Sequence, residues 1–237
     1  MWKSLLVIYR QVDVTVRTWL LRTRFVHTLS EGEVDDATES FRQFPGLVSE
    51  LTQGLAAIKP EIVSADRPLT SLTPMGQGKY WPSPADTRPE LDALAPVGRY
   101  ASIFVLWPQN NLETGRTIQS AGWGLALAAS DWSNQATYVT VANAESAIWK
   151  VPRIGEVWLH EWLHGVCAFY ARLGYTMPSG DADGGERHGY KRSPENGWTE
   201  YYRDLMSGNV VESGCRVGIP LDAWRGPNSP EAGLDDK

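Results

Sequence analysis

The hydrophobic positions of this chain follow two rhythms. The first is strand-like. Residues 5–16 (LLVIYRQVDVTV) are rich in β-branched residues and alternate toward their end, which predicts a strand. Residues 60–72 (PEIVSADRPLTSL), 122–129 (GWGLALAA) and 137–143 (TYVTVAN) predict three more. Between them Tyr100 to Trp107 (YASIFVLW) is apolar on both faces, the pattern of a central strand in a sheet covered on two sides.

The second rhythm is helical. Residues 32–58 begin with acids and continue with apolar residues at helical spacing, interrupted at Pro45-Gly46 by an expected break or kink. Thr87, ahead of Pro89 and Glu90, is placed to cap a short helix ending at Ala95. A long helix is expected from about Ile154 to Leu173, stopped by Gly174, and a shorter one over 198–206, closed by Gly208. Residues 74–89 and 175–197 read as surface loops, and the last 25 residues as irregular.

This order predicts an α/β (α+β) fold, a mixed twisted sheet packed on helices. It suits one catalytic domain over residues 1–237: a sheet-containing lobe to about 165, a smaller lobe over about 166–225, and an acidic tail at 226–237.

Composition narrows the function. The chain has 237 residues, 42% hydrophobic and 21% charged, which is ordinary for a globular protein. A net charge of −6 argues against nucleic acid as a partner, since phosphate binding needs a basic face. No run approaches the ~20 apolar residues of a membrane span. The N-terminus carries one Lys before a short apolar run that stops at Arg10, without a small-residue cleavage site. The expectation is an extracellular protein whose export signal is absent from this chain, with a cytoplasmic one as the alternative. Eleven Trp supply packing surface first, and platforms for ligands second.

The chemistry gathers in residues 155–174, GEVWLHEWLHGVCAFYARLG. His160-Glu161-Trp162-Leu163-His164 is an H-E-x-x-H pattern. On a helix, residues four apart lie on one face, so both imidazoles reach one metal ion. Imidazole suits Zn²⁺, and Glu161 sits beside that face as a general base. Val157, Trp158, Leu159, Trp162, Leu163, Val166, Phe169, Tyr170 and Leu173 cover most of the remaining circumference, so the helix is expected to be buried. Two His and a Glu buried there need partners, and a metal and a water would supply them.

These residues resemble the active-site helix of the zincin metallopeptidases. The resemblance covers the HEWLH helix and, loosely, the strands before it. It implies that an edge strand, residues 122–129 here, lines a cleft antiparallel to the substrate. The metzincin extension is missing, because Cys167 and Tyr170 stand where that branch has Gly and His.

A catalytic zinc usually keeps three protein ligands and one open position. His188, in GERHGY, is the first choice for the third. Glu200 is the second, because Glu200 and Asp204 resemble part of the gluzincin signature; Asp181 or Asp183 is the remaining choice. Asp204 is otherwise a candidate to orient a zinc-bound His. Tyr190 is the candidate donor to the tetrahedral oxyanion, with Tyr201 and Tyr202 as rivals. Asp181, Asp183 and Glu186 among glycines suit Ca²⁺ as a second ion, or else form a solvated turn. Cys167 either pairs with Cys215 or stays a buried thiol, and His27 reads as structural.

The expectation is therefore a monomeric zinc metallopeptidase acting on a peptide or protein substrate, with zinc-activated water attacking the carbonyl and Glu161 as base. The alternatives are a zinc hydrolase of another amide or ester, and a zincin-like module that binds glycan or protein without catalysis.

Overall fold

Parallel strands bury both faces, so their side chains must be apolar throughout. Three segments of this chain meet that demand almost completely, and they form the middle of the sheet. The computed structural model describes residues 1–18 and 21–225; the expected acidic tail lies outside the described residues. In chain order the elements are β1 (Trp2–Ile8), β2 (Gln11–Thr18), β3 (Leu21–Thr28), α1 (Glu31–Leu51), β4 (Ile58–Ser64), β5 (Thr73–Gly76), β6 (Lys79–Trp81), α2 (Arg88–Leu94) and β7 (Ser102–Trp107). After these come β8 (Asn110–Asn111), β9 (Arg116–Thr117), β10 (Gly124–Leu127), β11 (Thr137–Ala142), α3 (Ser146–Lys150), α4 (Glu156–Arg172), α5 (Thr199–Leu205), β12 (Val210–Glu212) and β13 (Cys215–Val217).

The architecture is mixed α/β, as the two rhythms imply. The main sheet has the order β10-β11-β7-β1-β4. β11, β7, β1 and β4 run parallel, and β10 joins the edge antiparallel to β11, with Gly124 opposite Val141 and Leu127 opposite Tyr138. Alternate residues feed two cores. Leu6, Ile8, Phe104, Leu106, Val139 and Val141 pack with α1 and α4. Leu5, Val7, Ile103, Val105 and Tyr138 pack under the β2–β3 ribbon, with Val12, Val14, Phe25, Trp81 and Leu91.

The tryptophans serve mainly the first core. Trp162 of α4 has its ring 5.4 Å from Trp2, 5.5 Å from Phe44 and 6.0 Å from Trp224. Its indole N–H donates to the Ser102 hydroxyl at 2.9 Å, so this large ring is buried with its polar atom satisfied. Trp158 stacks on Trp149 at 5.4 Å. These contacts fasten α4 to the sheet, to α1 and to the C-terminal segment together.

Several boundaries differ from expectation. The run 5–16 is two strands, because the chain leaves the sheet at Tyr9-Arg10 and turns back as β2 across its lower face. The strand pattern does not predict the β2–β3, β5–β6, β8–β9 and β12–β13 hairpins. β3 is mostly exposed, so it carries little apolar pattern and depends on pairing with β2. Part of the region expected to be irregular is β13.

α1 runs through Pro45-Gly46 without interruption. A proline in a helix interior costs about 3 kcal/mol. Phe41, Phe44, Leu47, Val48 and Leu51 are all buried on one face, and such side chains contribute roughly 1.5–3 kcal/mol each, so the packing prevails. The helix also starts on a capping box: the Ser30 hydroxyl accepts from Glu33 N–H, and the Glu33 carboxylate accepts from Ser30 N–H at 2.9 Å. α2 is present as expected, but Thr87 does not cap it. Its hydroxyl turns to the Ser83 carbonyl and the Tyr138 hydroxyl instead. Among the described residues no helix is long and apolar enough to cross a membrane.

The capping box leads to a direct expectation. Ser30→Ala, at an exposed position, should cost about 1 kcal/mol of stability. Urea denaturation should give a lower midpoint with an unchanged slope.

Candidate functional site

α4 lies against β10, β11 and α1, and two glycines set how closely. At Gly165 an added Cβ would stand 3.0 Å from the Leu127 carbonyl oxygen. At Gly155, which begins the helix with φ +88°, it would stand 2.9 Å from the Phe44 nitrogen. Trp158, Leu159, Trp162, Leu163 and Val166 are buried. One stripe of the helix is left over: Val157, His160, Glu161, His164 and Ala168 open onto a cleft of about 830 Å³. The helix is thus buried on most of its surface; His160 and His164 are half-buried at the cleft, and Glu161 is buried at its wall.

The cleft has a definite frame. Gly122 to Ala126, the edge of the sheet, form one long side. One side of the β10 backbone pairs with β11 and the opposite side faces the cleft. Asp181 and Asp183 from the loop, with Trp198 and Tyr202 at α5, form the other side. Ile148, Val151 and Pro152 stand beyond the N-terminal end of α4.

Within this frame three side chains converge. His160 Nε2 is 3.4 Å from Asp183 Oδ1, and His164 Nε2 is 3.8 Å from Asp183 Oδ2. One ligand atom from each of the three lies within 4.8 Å of the other two. The opposite nitrogens are also engaged. His160 Nδ1 lies 2.8 Å from the Tyr202 hydroxyl, and His164 Nδ1 lies 2.5 Å from Asp181 Oδ1. Two imidazole nitrogens and one carboxylate oxygen form a donor set that zinc accepts. The residues therefore fit the ion that the motif implies.

Asp183, rather than His188, is the group brought to the pair. His188 sits on a separate turn, where its Nε2 lies 3.2 Å from the Ser179 carbonyl oxygen and its ring is parallel to Tyr201. Glu200 is exposed on α5 and does not line the cleft. The physical reason is the compactness of the 180–185 turn, which brings Asp183 to the helix before the chain reaches His188. Gly184 and Gly185 permit this approach: an added Cβ would lie 2.5 Å from the Tyr201 hydroxyl at Gly184, and 2.8 Å from the Trp198 ring at Gly185. The Tyr201 hydroxyl donates to the Asp181 carbonyl, which anchors the same turn.

Two other expectations are redirected. Tyr190 does not line the cleft; its hydroxyl donates to Asp204 at 2.5 Å. Asp204 therefore holds Tyr190, and the partner of His160 is Tyr202. The acids read as a calcium loop are used differently: Asp181 and Asp183 face the histidines, and Glu186 is exposed. Cys167 and Cys215 are both free thiols, the first buried and the second exposed. Burial pushes the Cys167 thiol well above its usual range, so it stays an inert packing group. His27 packs near Glu33 at 3.8 Å, away from the cleft.

Electrostatics separate the roles of the motif residues. Burial, with His164 beside it, lowers His160 to about 4, so its ring is neutral and free to bind a metal at neutral pH. Burial would also lower His164, but the Asp181 hydrogen bond and the surrounding carboxylates carry it above its usual value. Burial raises Glu161 to about 7, within the range suited to taking and returning a proton.

The residue most easily missed in the sequence is Gly124. An added Cβ there would lie 2.4 Å from Glu161 Cδ and 2.5 Å from the Thr140 carbonyl oxygen. The Glu161 carboxylate rests directly on the bare backbone of β10. The Gly-Trp-Gly sequence at 122–124 is the only local signal of this, and it is ambiguous without the neighbour.

Gly124→Ala should therefore cost about 1–3 kcal/mol, as expected for overpacking. Gly122→Ala, whose Cβ would meet only the Gly124 oxygen at 3.5 Å, should stay within about 0.5 kcal/mol of the parent. Denaturant unfolding of the two variants tests the contrast.

Searches against protein-family profiles, curated proteins and solved structures find no match to this chain.

Proposed function

We propose that this protein is a zinc-dependent metallopeptidase of the zincin type. The observation that carries this reading is the convergence of His160, His164 and Asp183 within 4.8 Å in the cleft, with Glu161 beside them. The antiparallel edge strand β10 supports it further, since it offers main-chain groups to an extended peptide, as the resemblance to zincins implies.

His160, His164 and Asp183 would hold the ion. When bound, zinc supplies a Lewis acid that polarises a carbonyl and lowers the pKa of water. The remaining work falls to the chain. Gly122 to Ala126 align an extended substrate along the cleft. Glu161, supported by Gly124, takes a proton from the attacking water at its carboxylate and returns it to the leaving amine. The aromatic core behind α4 keeps the three motif residues in register with β10, so the base and the substrate strand hold their spacing.

Two expectations test this reading. The parent protein should bind one zinc per chain by elemental analysis, and so should His188→Ala; His160→Ala and Asp183→Asn should lose most of it. Retained zinc in Asp183→Asn with loss in His188→Ala would reverse the ligand assignment. Glu161→Gln should keep its zinc while peptide cleavage falls by about 10²–10⁴-fold. A zinc-loaded parent that cuts no member of a diverse peptide library, followed by mass spectrometry, would overturn the peptidase reading.

A further inference from the structure

We infer that Tyr202 and Asp181 are positioning residues that hold both histidines with Nε2 turned to Asp183, and thereby set the metal affinity of the site. The inference rests on the proposed reading of His160, His164 and Asp183 as metal ligands.

An imidazole binds a metal through one nitrogen only, and the hydrogen bond made by the other nitrogen selects which. In this protein both rings make the same choice through different elements. His160 Nδ1 lies 2.8 Å from the Tyr202 hydroxyl on α5, and its Nε2 faces Asp183 at 3.4 Å. His164 Nδ1 lies 2.5 Å from Asp181 Oδ1 on the turn, and its Nε2 faces Asp183 at 3.8 Å. Two anchors on different elements thus leave both Nε2 atoms facing the Asp183 carboxylate.

Tyr202 is well suited to hold such an anchor. The residue is 1% exposed and packs beside Tyr201 at 6.0 Å, so its ring has little room to turn. For His160 to present its Nε2 lone pair, this hydroxyl oxygen accepts the Nδ1–H, the tautomer that the inference requires. It is a neutral acceptor, whereas Asp181 is an anionic one. The pair is therefore asymmetric: the phenol fixes orientation, while the carboxylate also increases the basicity of its ring. Asp181 has φ +37°, in the left-handed region that Asp and Asn tolerate better than most residues. The backbone is held there by the Tyr201 hydroxyl on its carbonyl, so consecutive tyrosines of α5 secure both the turn and His160.

The molecule contains its own control. Tyr190 donates to Asp204 at 2.5 Å and links the loop to α5 without touching either histidine. It has the same chemistry as a positioning contact and should have no effect on the metal.

The test measures zinc affinity by chelator competition, and histidine tautomers in the metal-free protein by long-range ¹H–¹⁵N correlation. Tyr202→Phe and Asp181→Asn should each weaken zinc by about 10–100-fold, with Asp181→Asn the larger, while Tyr190→Phe leaves affinity unchanged. In the metal-free parent His160 should carry its proton on Nδ1, and Tyr202→Phe should mix the two tautomers. Unfolding midpoints of the metal-free variants identify any folding defect. If Tyr202→Phe does not fold, Asp181→Asn, which keeps the backbone preference, decides the case. A parent that binds zinc while both variants bind it equally well overturns this inference alone, as does a parent with His160 protonated on Nε2. A parent with no zinc affinity overturns both the inference and the proposed function.

Discussion

Everything near the cleft answers one constraint: two histidines and a glutamate stand in the middle of a helix that is largely apolar and buried. A charged or hydrogen-bonding group in such a place costs several kcal/mol unless it has a partner. The fold supplies one for each histidine. His164 receives Asp181, His160 receives Tyr202, and Asp183 faces the second nitrogen of both. Glu161 rests on the bare backbone of Gly124, and burial, with Asp183 and Asp181 nearby, raises its carboxyl above the usual range although His164 opposes this. The loop, the turn at 180–185 and α5 can be understood as the parts needed to bring these partners to α4.

The same constraint explains the weight of aromatic packing behind the helix. The site needs α4 fixed against the β10 edge to within a fraction of an ångström, because Glu161 touches that edge. Trp162 and Trp158 anchor the far side of the helix to Trp2, Phe44, Trp149 and Trp224, and the Ser102 hydroxyl satisfies the one polar atom of Trp162. Gly165 and Gly155 then allow the helix to settle close to its neighbours. Core and site are one construction: rings on one face of α4 determine where the ligands on the opposite face point. Some cost remains, since the indole nitrogens of Trp2 and Trp158 are buried without a partner.

α5 is short, yet it joins the two halves of the site. Tyr201 holds the Asp181 carbonyl and Tyr202 holds His160, so one helical turn links the loop that bears Asp183 to the helix that bears the histidines. Glu156, at the start of α4, accepts from Trp198 N–H at 2.6 Å and packs against Gly197, which fixes where α5 begins. This arrangement shows why the loop approaches the helix as closely as it does, and why a compact turn reaches the pair before the later His188 does.

The sequence by itself determined what depends on local spacing. The strand pattern of β7, β10 and β11, the position of α4, and His160 and His164 on one face with Glu161 beside it all follow from periods of two and 3.6 residues. The capping box at Ser30 and Glu33 was equally local and readable. Only the tertiary structure decided what depends on contacts between distant segments. The third group at the site is one such case, since spacing along a 23-residue loop, 175–197, does not say which acid or His turns inward. The partner of His160 is another: Tyr190, Tyr201 and Tyr202 are chemically alike, and packing alone selects Tyr202. Gly124 is the clearest, because its missing side chain matters only once Glu161 arrives from a helix 37 residues later. Short-range periodicity places side chains on the face of an element, and three-dimensional packing decides what they meet.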